Sequence, residues 1–96
     1  MRLHRRNEQK GSRILRTTTG KPKASTYSTQ VAIVDGSDGR TYLLHYHNLY
    51  GNESVTIYDS DNQHNAHFGQ SGDHYHPKDS PLFDALFALV KQANSK

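Results

Sequence analysis

Residues 27–47, Tyr-Ser-Thr-Gln-Val-Ala-Ile-Val-Asp-Gly-Ser-Asp-Gly-Arg-Thr-Tyr-Leu-Leu-His-Tyr-His, decide the fold class. Tyr27, Thr29, Val31 and Ile33 alternate with Ser28, Gln30, Ala32 and Val34, and β-branched residues are frequent. A period of two in such residues predicts a strand over 27–34. Asp35-Gly36-Ser37-Asp38-Gly39 predicts a turn, because glycine accepts positive φ and aspartate bonds its own backbone. Residues 40–47 form the return strand, with Tyr42, Leu44 and Tyr46 on one face and Thr41, Leu43, His45 and His47 on the other. The result is a hairpin whose loop is somewhat longer than the tightest kind.

Outward from this hairpin, Gly51-Asn52 predicts a second turn within 48–53. Residues 54–59 predict a third strand, with Val55 and Ile57 opposed to Thr56 and Tyr58. Strands adjacent in sequence usually pair, so an antiparallel meander is the simplest topology. At 80–93 the spacing becomes helical: Leu82, Phe83, Leu86, Phe87, Leu89, Val90 and Ala93 make one broad apolar stripe. Ser80 suits the N-cap and Pro81 the first helical position. Asp84 near the start and Lys91 near the end match the helix dipole. The stripe belongs across one face of the sheet. The expected fold is α+β: a small antiparallel β-meander of three or four strands packed by one C-terminal α-helix, the fourth being an edge strand at 73–76.

The 96 residues are enough for one domain. The body is expected to be 25–96, preceded by a basic flexible arm over 1–24 in which 13–18 suits a short strand. Residues 1–23 hold Arg2, Arg5, Arg6, Lys10, Arg13, Arg16, Lys21 and Lys23 against Glu8 alone. The rest holds four Lys and Arg residues against eight acids. Such asymmetry suits contact with nucleic acid or an acidic partner, and equally a solvated tail. On the first reading Arg2, Arg5, Arg6, Arg13, Arg16, Lys21 and Lys23 are the phosphate-contacting set. The chain has no cysteine, which excludes disulfide frameworks and thiolate zinc sites and leans towards a reducing cytoplasm. No apolar run approaches membrane-span length, and no apolar block follows the basic start as in a secretory signal.

Residues 58–76 are the functional candidate. They contain His64, His67, His74 and His76, and no large aliphatic side chain. Gly69, Gly72 and Pro77 punctuate residues 61–78, and connections of such length in small domains tend to be functional or disordered. On an extended segment His74 and His76 would point the same way, about 7 Å apart. His45 and His47 form a second pair of that kind. Three readings stay open for the histidines. They can act as general acid and base on a phosphodiester, with Arg or Lys holding the phosphate. With Asp59, Asp61 or Asp73 they can bind zinc or another transition metal. Or they are surface residues of a polar loop. Tyr42, Tyr46, Tyr50 and Phe68 suit stacking on bases, or simply covering a thin sheet.

The order of these features resembles the TumE-like toxins of bacterial and archaeal toxin–antitoxin modules. Their pattern is roughly R-Y-D-N-A-x-H-H, a short spacer, H-H-x-H and a C-terminal helix. Ile33-Val34-Asp35-Gly36-Ser37 and Leu44-His45-Tyr46 correspond to the earlier strands, and Tyr58-Asp59 to the Tyr-Asp pair. His64 corresponds to the first histidine site, and Asp73-His74-Tyr75-His76 to the second group with Asp73 in place of its first histidine. Ser80-Pro81-Leu82, Leu86 and Val90 correspond to the helix, so the likeness covers about residues 27–90. Ile57 stands where the pattern has arginine and Ser60 where it has asparagine, so a phosphate-holding role is not carried over to position 57.

The resemblance implies a small cytoplasmic growth inhibitor, neutralised by a helix-turn-helix antitoxin and acting on RNA or the ribosome. The expected activity is that of a metal-independent ribonuclease or translation inhibitor. His64, His74 and His76 would be the acid–base set, Asp59 would orient a histidine, and Tyr58 would assist. No cofactor is expected; zinc or another transition metal at the histidine loop is the alternative. The rival function is a non-enzymatic phage or mobile-element protein that inhibits or bridges a larger protein or nucleic-acid partner.

Overall fold

A computed structural model describes residues 14–16, 18–26, 28–59 and 74–95. They form an antiparallel sheet and a C-terminal helix, the α+β meander that the hydrophobic pattern predicts. The strands are β1 (Lys23–Ala24), β2 (Val31–Asp35), β3 (Thr41–Leu49), β4 (Asn52–Asp59) and β5 (His74–Pro77), followed by α1 (Phe83–Ala93). Their order in space is their order in sequence. The sheet has five strands, where three or four are expected, because the two residues of β1 add an edge beside β2. β5 is the expected edge strand, shifted by one residue.

Alternation divides the sheet cleanly. Ala32, Val34, Tyr42, Leu44, Val55 and Ile57 turn to one face and are buried with Phe83, Leu86 and Val90 of α1. Burial of each large side chain contributes about 1.5–3 kcal/mol before ordering costs. Tyr46 extends this face: its ring stacks on Phe87 at 4.3 Å, and its hydroxyl donates to Glu53 Oε1 at 2.9 Å. The opposite face, carrying Ile33, Leu43, His45, His47, Thr56, Tyr58 and Tyr75, has no helix across it among the described residues.

Two turns fix the register. Asp35 pairs with Thr41, and the Gly36 amide donates to the Arg40 carbonyl at 2.8 Å. A Cβ on Gly36 would stand 2.6 Å from Asp38 Oδ1 and 3.0 Å from the Tyr42 ring, so a side chain there would require the Asp38 carboxylate and the Tyr42 ring to give way. At the second turn Leu49 pairs with Asn52. Tyr50 and Gly51 between them have φ of 56° and 87°, the two positive values of a two-residue type I′ turn that matches strand twist.

Some boundaries differ from the sequence reading. Residues 28–30 precede β2 without joining it, and β3 and β4 run up to the tight turn. α1 starts at Phe83, not Ser80. The Ser80 hydroxyl instead accepts from the Leu82 amide at 3.4 Å, capping the turn before the helix. At its other end, the Asn94 side-chain amide donates to the carbonyls of Val90 and Val31, tying α1 to β2. The expected strand at 13–18 is instead helical at 14–16, where the Thr18 amide and hydroxyl both donate to the Ile14 carbonyl. Ile14 is 1 % exposed and part of the core. Thr18 bridges to Gly36, so the described residues between 14 and 24 belong to the folded unit and not to a free arm. One buried isoleucine anchors a segment whose polarity gives no periodic signal.

Candidate functional site

The start of β3 and the end of β4 come together at one end of the sheet, where Tyr42 pairs with Asp59. The polar groups of the β2–β3 turn collect there. Arg40 Nη1 lies 3.3 Å from Asp59 Oδ1. Asp59 is 6 % exposed, whereas the Arg40 side chain is 51 % exposed. The carboxylate therefore holds one side of a guanidinium whose other side meets solvent. The charge of Asp59 and its hydrogen bond raise the Arg40 pKa further above its ordinary value. The Tyr42 hydroxyl donates to Asp38 Oδ2 at 2.6 Å. Burial pushes the Asp38 carboxyl up, but the Tyr42 hydroxyl, the Arg40 amide and the Arg40 charge together hold it below its usual range. Lys23 pairs with Asp35 at 3.2 Å on the open face.

The histidine-rich stretch 60–73 is joined to this end: it leaves β4 after Asp59 and enters β5 at His74, opposite Ile57. His64 lies outside the described residues, as do Arg2, Arg5, Arg6 and Arg13. Arg16, Lys21 and Lys23 are exposed. His76 pairs with Val55, is 3 % exposed, and has Nδ1 3.4 Å from Ser80 Oγ. Its ring packs beneath the chain that leads into α1. Tyr58 pairs with Leu43 and turns to the open face, half-buried. Tyr58 and Asp59 are sequence neighbours on one strand, so their side chains leave opposite faces and do not enter one site together. The expected constellation therefore divides: Asp59 and His76 lie on the helix side, and Tyr58 on the open side.

The open face gathers a pair that the i, i+2 spacing marks but does not rank. The His45 and His47 rings lie 4.0 Å apart, tilted by 37°. Burial, with the neighbouring His47 second, lowers the His45 pKa below 6.5, so the neutral form is favoured near pH 7. Arg40 is the functional candidate that sequence reading passed over. Its only signal is its place after a glycine turn, and its partner is nineteen residues away. Among the described residues no group of three or more His, Cys, Asp or Glu side chains is placed to hold a metal ion. Also among them, no helix is long and apolar enough to cross a membrane.

Compared with family models, curated proteins and solved structures, the chain gives no match.

Proposed function

We propose that this chain is a small cytoplasmic toxin of a toxin–antitoxin module that cleaves RNA without a metal. Its working end would be the edge where β4 ends and β5 begins. The observation that carries the reading is the half-exposed Arg40 guanidinium held by buried Asp59 beside the attachment of the histidine-rich stretch. It supplies a fixed cation beside Asp59, where the family pattern has an arginine that this chain replaces with Ile57. Cleavage requires a base to take the 2′-hydroxyl proton, an acid to protonate the departing 5′-oxygen, and a cation for the charge on the phosphate. His64 and His74 are assigned the proton transfers and Arg40 the phosphate. Asp59 orients Arg40, and His76 is a packing residue of β5. Arg16, Lys21 and Lys23, with the basic residues before them, add phosphate contacts that weaken with salt. A helix-turn-helix antitoxin would neutralise the toxin by covering this end.

The test is inducible expression in a bacterial host, following growth and total RNA. Wild type should arrest growth with loss of RNA. Arg40→Gln should lower the cleavage rate by about 10²–10³-fold, the usual effect of removing one charge-stabilising group, and His64→Ala/His74→Ala should abolish it. The burial of His76 favours a second reading, a non-enzymatic phage or mobile-element binding protein. Arrest by all variants alike, with RNA intact, would support that reading and sink the ribonuclease.

A further inference from the structure

On the open face, away from Arg40, lies a cavity of about 380 Å³ lined by His47, Leu49, Asn52, Ser54, Thr56 and Tyr75. Its size is in the range of small-molecule sites, roughly 300–1,000 Å³. β4 runs beneath it, with Ser54 and Thr56 as the floor. β3 and β5 flank it with one flat ring each, His47 and Tyr75, on backbones about 9.5 Å apart, twice the strand spacing. The His47 ring is backed by His45 at 4.0 Å, which holds that wall from behind. Tyr75 is 65 % exposed, a large ring left in water at the cavity rim.

These groups select a chemistry. Flat rings at two sides offer stacking to a third flat ring. The hydroxyls of the floor and the Asn52 amide both donate and accept, which is what the edge of a heterocycle requires. Among the described residues no lysine or arginine lines the cavity, so these residues do not suit a phosphate, and His47 is the only ready transition-metal ligand among them. Across Tyr75 a second hollow carries Glu53 and Asp79, and its Lys78 is paired with Glu53 at 3.1 Å. A polyanionic backbone is disfavoured on that side. It is directed the other way, along β4 past Tyr58 to the end of the sheet where Arg40 stands, and Ser54 in the cavity floor to Asp59 spans about 17 Å of strand. We infer that this cavity is a nucleobase subsite for single-stranded RNA, holding a base several nucleotides along the strand from the phosphate that Arg40 contacts. The inference rests on the RNA reading above and gives it a substrate form: unpaired RNA, read at one base by Asn52, Ser54 and Thr56.

The experiment is titration of the full chain with an uncleavable 2′-O-methyl RNA tetramer of mixed sequence and, separately, with a nucleoside monophosphate, followed by ¹H–¹⁵N NMR. The tetramer should shift His47, Ser54, Thr56 and Tyr75. Tyr75→Ala should weaken it by roughly 5- to 150-fold, the worth of one base–aromatic stack, and Tyr75→Phe should retain binding. Tyr75 is exposed, so these variants keep the fold, and the same spectra check it. Tetramer binding that shifts only the Arg40–Asp59 end, with Tyr75→Ala unimpaired, overturns the subsite and leaves the RNA toxin standing. Monophosphate binding as tight as the tetramer overturns the assignment to an RNA chain. Absence of tetramer binding overturns the subsite, and overturns the RNA reading with it if expression also leaves cellular RNA intact.

Discussion

Replacement of His76 by alanine separates packing from chemistry in the histidine set. The ring is 3 % exposed, faces Val55 across β4 and β5, and lies within 3.4 Å of Ser80. Truncating a buried aliphatic side chain costs about 2–5 kcal/mol and an aromatic about 3–5 kcal/mol. Imidazole is smaller, and an edge strand of four residues can settle inward, so about 2–3 kcal/mol is expected for His76→Ala. A domain of this size has roughly 5–10 kcal/mol in all, so the loss is a large part of it. With a urea slope of about 1–1.5 kcal/mol/M, the unfolding midpoint should fall by about 2 M. The assay is urea unfolding followed by far-UV circular dichroism on purified wild type and variant, beside the growth assay. A midpoint within about 0.3 M of wild type, together with loss of toxicity, would refute the packing argument and return His76 to the chemistry.

Two further outcomes are expected. His45 has its pKa lowered by burial and by His47, so the unfolded chain takes up this proton first as pH falls. Stability is then fully present above about pH 6.5 and is lost from there down through the lowered folded pKa. Urea unfolding between pH 8 and pH 5 should show this slope and His45→Gln should lessen it; an unchanged slope would rule His45 out as its source. Tyr50 has φ of 56° in a two-residue turn, a conformation that asparagine adopts more readily. Tyr50→Asn should therefore raise stability by roughly 0.5–1 kcal/mol in the same assay, and a drop would show that the exposed ring makes a contribution of its own.

The fold was legible where one physical signal dominated. Alternation grouped Tyr42 with Leu44 on one face of β3 and Val55 with Ile57 on one face of β4, which the observed register joins, and the stripe Phe83, Leu86, Val90 pointed to a helix across the sheet. Ile14 was not legible, because a lone buried side chain in a basic stretch has no period to betray it; tertiary contact alone decides its burial. β1 is similar: two polar-flanked residues become a strand only because β2 has a free edge. The candidate site was harder to read. Strand alternation already sends Tyr58 and Asp59 to opposite faces, but which face carries His76 depends on the register of β5 against Val55. Arg40 and Asp59 meet because a glycine turn returns the chain to the right place. His47 and Tyr75 share a cavity only because β4 lies between their strands, a relation that no local window contains.

The order of strands in space has a consequence for how the molecule comes into being. Since β1 to β5 follow one another across the sheet as they do along the chain, each ladder closes with a partner already at hand. The β3–β4 hairpin, with eight paired positions and a two-residue turn, is the natural first event. Near-neighbour pairing shortens the conformational search. On the ribosome the sheet can thus assemble strand by strand as it emerges. Its apolar face waits uncovered until α1 has been made, and that helix turns a marginal ribbon into a packed unit.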